Sequence, residues 1–240
     1  MEFWGITDRG KVRRDNQDAY YISESEPRVL LVCDGMGGAK GGAVASDLAI
    51  KTFRTASGGS LRAGMQPGEI AAALQGAVRT ANTAVYELSL ADEHLSGMGT
   101  TLVGAAVNGD VAVVVNVGDS RCYKLHNGGI RQVTKDHSLV ENMIDRGEIT
   151  RAESYSHPNR NLITRAVGTM AEVESDVFTE RLTDGDSLLL CSDGLSNVVT
   201  EHEMLEKAVS ESPESAAKAL LELALNRGAP DNVTVVILRK

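Results

Sequence analysis

"TLVGAAVNGDVAVVVNVGDSRCYKL", residues 101–125, is the stretch on which the fold turns. Valine, alanine and leucine crowd both sides of Asn108-Gly109, and β-forming runs bounded by glycine and asparagine read as strands joined by a tight turn. Asn108 and Gly109 both tolerate the positive φ that hairpin turns demand, which predicts antiparallel neighbours. Working outward, "RVLLVCDG" (28–35), "DSLLLCSDG" (186–194) and "NVTVVILRK" (232–240) repeat the pattern of apolar runs ended by Gly, Asp or Asn. Between them, residues 68–91 place Ile70, Ala73, Leu74, Ala77, Ala81, Val85 and Leu88 at helical spacing. A second helix is expected over 42–56, and a pair over 201–210 and 213–226, the latter opened by Pro213, which suits a first turn. Strands and helices come in blocks, not in strict alternation, so the expectation is a layered α+β fold with antiparallel sheets. Residues 57–66 read as a loop between helices, and 136–168, which lacks a strong apolar period, as an excursion from the core.

With 42% hydrophobic and 24% charged residues, the 240-residue chain can bury a substantial core, and no linker divides it, so one domain over 1–240 is expected. A net charge of -9 argues against a general affinity for nucleic acid or anionic lipid, so a phosphate partner must be met locally. The opening "MEFWGITDRG" has neither a long apolar run nor a basic leader, and no later run reaches the roughly 18 apolar residues of a membrane span. The reading is a cytoplasmic monomer. Cys33, Cys122 and Cys191 are odd in number, far apart and set in apolar runs, as buried thiols are. A cysteine phosphatase needs Arg six residues after its Cys, and those positions hold Ala39, Gly128 and Asn197.

The chemistry starts at the strand ends. Two apolar runs deliver Asp34-Gly35 and Asp193-Gly194 into glycine turns, "VVVNVGDS" does the same with Asp119, and Asp231 stands just before "NVTVVIL". Any one of these could cap a turn with its side-chain oxygen. Four meeting in space would repel one another unless a cation sat between them, and a hard divalent ion answers that need. The five histidines, at 94, 126, 137, 157 and 202, are scattered outside any zinc-binding spacing, and no EF-hand loop is present. Oxygen-only donors favour Mg2+ or Mn2+, and a pair of such ions lowers the pKa of a water and clamps an in-line displacement at phosphorus. "VRRDNQDAYY", residues 12–21, adds Asp18 to the carboxylates and offers Arg13, whose planar fork matches two phosphate oxygens. A solvated Arg/Asp network is the alternative for that stretch.

Together, "RRDNQD", "CDGMGG", "GMGTT", "VGDSR", "KDHS", "CSDGL" and "APDNVTVVIL" stand in an order and spacing that resembles the PP2C (PPM) family of metal-dependent serine/threonine protein phosphatases, bacterial type, over essentially the whole chain. The resemblance implies a four-layer αββα sandwich of two packed antiparallel sheets flanked by helices. It implies that Asp34 bridges two Mn2+ or Mg2+ ions, that the Gly35 carbonyl holds one of them, and that Asp193 and Asp231 complete the other. Asp18 would be a ligand or an acceptor for ion-bound water, Asp119 with Asp193 would hold a third, weaker ion, and Arg13 would bind the substrate phosphate. A flap is implied near residues 145–165. The substrates would be phosphoserine and phosphothreonine in proteins, cleaved by an activated water without a phosphoenzyme, and the counterpart a bacterial serine/threonine kinase.

One position departs from many eukaryotic relatives, which carry His after the Asp-Gly pair where this chain has Met36. Met cannot protonate a leaving alcohol, and His137 in "KDHS" reads first as a hydrogen-bonded structural residue. "GMGGAKGG" lacks the GxxxxGK[ST] phosphate loop, "VGDSR" lacks a nucleophile elbow, Met98 reads as core, and Thr100 and Thr101 read as strand formers. Two further readings stand beside the phosphatase: a non-catalytic module that binds phosphoprotein, whose sign would be a missing carboxylate, and the same chemistry on a narrow target such as a phosphorylated anti-sigma-factor antagonist. All the carboxylates are present.

Overall fold

The structure, a computed structural model, describes residues 1–126, 128–208 and 212–240. Its elements in chain order are β1 (Glu2–Asp8), β2 (Asp18–Ile22), β3 (Arg28–Met36), α1 (Gly38–Ser60), α2 (Pro67–Ala91), a 3-10 turn (Glu93–Leu95), β4 (Gly99–Thr100), β5 (Leu102–Asn108), β6 (Val111–Val117), β7 (Arg121–His126) and β8 (Gly129–Gln132). There follow α3 (Leu139–Asp145), α4 (Arg151–Ser154), β9 (Asp176–Arg181), β10 (Ser187–Cys191), α5 (Asp193–Ser196), α6 (Glu201–Ala208), α7 (Pro213–Asn226) and β11 (Val233–Arg239). One sheet runs β1-β11-β10-β7-β8 and the other β2-β3-β5-β6-β9, with β4 on β3. Every pairing is antiparallel.

The parity of the strands explains the unbroken apolar runs. In β3, Leu30 and Val32 face the other sheet, where Leu188, Leu190, Val236 and Leu238 meet them, while Leu31 and Cys33 face α1 and α2. In β10 and β11, Leu189, Cys191, Val235 and Ile237 point the opposite way, against Ala216, Leu220 and Ala224 of α7. A strand covered on both faces needs apolar side chains at every position instead of every second one. Each buried Leu or Val contributes roughly 1.5–3 kcal/mol. The four expected layers are thus present: helix, sheet, sheet, helix. All three cysteines are free and buried, and burial pushes the Cys191 thiol up to about 12. No helix among the described residues is long and apolar enough to cross a membrane.

Several local expectations shift. The first helix spans Gly38–Ser60 and so takes in residues 57–60, which the sequence reading assigned to a loop. Its end holds because the Ser57 and Ser60 hydroxyls bond back to the carbonyls of Arg54 and Ala56, and Leu61, which is buried, donates its N–H to Ser57. The next helix starts one residue early, at Pro67, and the Glu69 carboxylate accepts from the Gln66 N–H. At the hairpin, Asn108 remains in β5 opposite Val111, and only Gly109, at φ +59°, takes the left-handed conformation. The 201–210 helix is seen as Glu201–Ala208, with positions 209 and 210 outside the described residues.

The chain's first and last strands pair, Asp8 opposite Val233, which carries the segment 9–17 alongside Asp231. Asp18 opens β2 directly opposite Asp34 in β3. One end of the sandwich therefore collects chain segments from both sheets and both termini.

Candidate metal centre

At that end lies a cleft of about 480 Å3 whose lining includes Arg13, Asp34, Gly35, Asp119, Asp193 and Asp231. They arrive on five different segments. Asp34 and Gly35 sit within β3, not in a turn after it, and Asp193 opens α5. Asp119 occupies the turn from β6 to β7, and Asp231 the turn into β11. Both glycines after the aspartates are dictated by close backbone approach. A Cβ on Gly35 would stand 2.0 Å from the Gly42 carbonyl oxygen, and one on Gly194 would stand 1.9 Å from that of Asn232.

Asp18 lies beside the cleft, not in its lining, and is buried. One of its oxygens, Oδ2, accepts from the Ser192 and Thr234 hydroxyls, each at 2.7 Å, so it ties β2 to β10 and β11. The other, Oδ1, is buried with no hydrogen-bond partner, and so is Oδ1 of Asp193. Asp193 Oδ2 accepts from Asn197 at 3.0 Å. Two aspartates directly opposite on paired strands repel as well. Burial, compounded by this mutual repulsion, raises Asp34 well above the usual carboxylate range, raises Asp193, and lifts Asp18 to about 7 and Asp119 to about 8.

The donor set fits a hard divalent ion: carboxylate oxygens, two of them buried and unpartnered, with neither imidazole nor thiolate lining the cleft. Among the described residues no three Asp, Glu, His or Cys side chains are arranged to hold an ion unaided. An ion there must draw the rest of its shell from backbone oxygen and water, which suits Mg2+ and Mn2+ because both keep several waters.

Arg13 reaches the cleft from the N-terminal segment and donates through Nη2 to Asp231 Oδ2 at 2.6 Å, which leaves the rest of its guanidinium facing open space in an exposed position. The hydrogen bond to Asp231 raises its already high pKa, so it is a permanent cation. What holds this segment was missed in the sequence. Asn232, buried, accepts from the Gln17 N–H at 2.9 Å and donates to the carbonyls of Arg9 and Asp15 at 2.8 and 3.0 Å. Asn16 accepts from the Asp18 N–H, and the Gln17 amide donates to the Gly38 carbonyl. The polar letters of "RRDNQD" thus divide into residues that face the cleft and residues that pin the loop.

Thr100 and Thr101 also do more than form strand. The Thr101 hydroxyl accepts from the Asp34 N–H and pairs with the Ser120 hydroxyl at 2.7 Å, while the Thr100 hydroxyl donates to the Asp34 carbonyl. Ser120 is thereby a brace, consistent with its lack of a base. Met36 lines the cleft, whereas His137 does not. The His137 Nδ1 accepts from the Gly118 N–H at 3.0 Å and its Nε2 lies 3.3 Å from Asp176, so it is a structural histidine under the Asp119 turn. Met98 is fully buried in the core, as expected.

The excursion at 136–168 carries α3 and α4 and returns through bridges Ser138–Ile163 and Thr100–Val167. Asn161 and Ile163 from it wall the cleft. A second cavity of about 480 Å3 shares Asp119 and Asp193 and runs beneath α4. Its floor is the Arg121–Asp136 ion pair, with Nη2 to Oδ2 at 2.6 Å.

Comparison with known proteins agrees with this geometry. Residues 9–227 match the family described as Protein phosphatase 2C. The serine/threonine phosphatase stp of Listeria monocytogenes is 38% identical over 98% of this chain and 94% of its own length. The serine/threonine protein phosphatase PstP of Mycobacterium tuberculosis is 42% identical over 99% of this chain, which spans 44% of that longer protein. A crystal structure of the PstP catalytic domain in complex with two manganese ions superposes with a TM-score of 0.85 at 36% identity, covering 98% of this chain and 96% of the other. A cleft of half-buried, repelling carboxylates at the end of a two-sheet sandwich, matched along nearly its full length, makes this chain a member of the protein phosphatase 2C family.

Proposed function

We propose that the chain hydrolyses phosphoserine and phosphothreonine in proteins at a centre of two Mn2+ or Mg2+ ions. The observation that carries this reading is the convergence of Asp34, Asp119, Asp193 and Asp231 with Arg13 on one cleft, with Oδ1 of Asp193, and Oδ1 of Asp18 beside it, buried and unpartnered. Asp34 and the Gly35 carbonyl, Asp193 and Asp231 would hold the two ions, Asp18 would support them from behind, and Asp119 with Asp193 would hold a third. Ions so bound supply Lewis acidity, acidifying water and neutralising charge on the phosphoryl oxygens.

The chain's own residues set the geometry. Arg13, oriented by Asp231, offers its remaining N–H groups to two phosphoryl oxygens and aligns phosphorus in the cleft. Thr100, Thr101 and Ser120 fix the Asp34 backbone, so the carboxylate does not have to be ordered during turnover. Met36 has no proton to give and His137 is turned away to Gly118, so the leaving alcohol takes its proton from water or from another residue of the cleft. We assign the whole chain to one phosphatase unit, acting as a cytoplasmic monomer opposite a serine/threonine kinase.

The test is turnover of a phosphothreonine peptide with Mn2+ supplied. Hydrolysis is expected to require the metal, to stop with EDTA, and to fall by a factor of about 100 or more in Asp193→Ala. Full activity in EDTA, or unchanged turnover in the variant, removes the proposed centre.

A further inference from the structure

Four cations, Arg9, Lys11, Arg13 and Arg14, fall within six residues of a chain whose net charge is -9. The proposed chemistry uses one of them. The segment that carries them is held stiffly: the Lys11 N–H donates to the Ala229 carbonyl at 3.0 Å and the Gly10 N–H to Asp8 at 2.8 Å. Asn232 clamps the carbonyls of Arg9 and Asp15 on either side. Arg13 is turned to Asp231, but the next residue, Arg14, lines the same cleft with a guanidinium that makes no hydrogen bond or ion pair with any described residue. Among the described residues the only hydrogen bond of Arg14 is through its backbone carbonyl, which accepts from Arg9 Nη1 at 3.3 Å.

We infer that Arg14 is a specificity-determining residue: it reads a second anionic side chain, carboxylate or phosphate, close to the phosphoresidue of the substrate. This rests on the phosphatase reading above and adds to it the class of peptide preferred. The clamped backbone confines the entropy lost on capturing an anion to the side chain, and the planar fork suits both carboxylate and phosphate. Adjacent Cα atoms are about 3.8 Å apart. With Arg13 on the phosphoryl group, the anion read by Arg14 therefore falls within a residue or two of it along an extended peptide. The local basic charge also offsets the repulsion that a protein of this net charge exerts on an acidic peptide. Asp15 lines the cleft as well.

The experiment uses the full chain with Mn2+ and three phosphothreonine peptides that differ only at the neighbouring position: Gln, Glu or a second phosphoserine. Wild type is expected to show kcat/KM about threefold to tenfold higher for the Glu or the doubly phosphorylated peptide than for the Gln peptide, the range of an exposed charge-assisted contact. The preferred anion identifies the source. In Arg14→Gln that ratio is expected to fall to about one, and in Arg14→Lys to recover in part; because it is a ratio within one protein, general damage to the variant cancels. A wild-type ratio near one, or the same ratio in wild type and Arg14→Gln, overturns the inference while leaving the phosphatase reading intact. If wild type cleaves none of the three peptides, the phosphatase reading fails and the inference falls with it.

Discussion

Replacing Asn232 by alanine should damage the protein at a point remote from any reacting atom. The side chain is buried and makes three hydrogen bonds of 2.8 to 3.0 Å, all to backbone groups of residues 9–17. Each such bond contributes about 0.5–1.5 kcal/mol net. The Arg9 and Asp15 carbonyls belong to exposed residues and can turn to water, but the half-buried Gln17 N–H is harder to satisfy. The expected loss is therefore about 2–3 kcal/mol. For a chain of this size that corresponds to a fall in Tm of about 5–10 °C. Activity should fall further than stability suggests, because the freed loop carries Arg13. Urea denaturation and steady-state hydrolysis of an aryl phosphate with Mn2+ read the two effects separately. Asn232→Asp should fare no better, since it keeps an acceptor for Gln17 but presents oxygen to two carbonyls. A loss under about 0.5 kcal/mol with unchanged turnover would refute the claim that Asn232 organises the loop.

The metal-free protein should lose stability as pH rises. Asp18 is held at about 7 and Asp119 at about 8 by burial, against about 3.9 for an unfolded Asp, so the folded state binds more protons between those values. Their stabilising effect is complete below the unfolded pKa and disappears as pH climbs through 7 and 8. Urea midpoints in EDTA at pH 5 and pH 8 measure the decline, which Asp18→Asn should lessen; an equal or larger decline in that variant contradicts the assignment. Leu190→Ala opens a void between the sheets and should cost about 2–5 kcal/mol in the same assay, whereas a cost below about 1 kcal/mol would place Leu190 outside the shared core.

Much of this structure was legible in the letters because its strands are covered on both faces. Continuous runs such as "RVLLVCD" and "DSLLLC" announce central strands, and the carboxylates that follow them line one cleft. The edge strands were harder. Residues 2–8, 18–22 and 176–181 are only partly buried and carry mixed side chains, so their β character lies in the partner strand more than in their own composition. The loop expected at 57–66 is confined to 61–66, because at 57–60 serine hydroxyls bond back along the helix and its end tolerates two glycines. The bracing roles of Asn232, Thr100, Thr101 and Ser120 were illegible for another reason. A hydroxyl or amide that bonds a backbone far away in sequence looks the same as one that bonds water.

The central claim is that the carboxylates meet around divalent ions. Crystals soaked in Mn2+ and measured at the manganese absorption edge test it most directly, because anomalous peaks locate the ions without reference to any assumed ligand. The account predicts two strong peaks in the cleft, both within coordination distance of Asp34, with the Gly35 carbonyl on one ion and Asp193 and Asp231 on the other. Peaks elsewhere on the surface, or a cleft with no anomalous signal at saturating Mn2+, would contradict it.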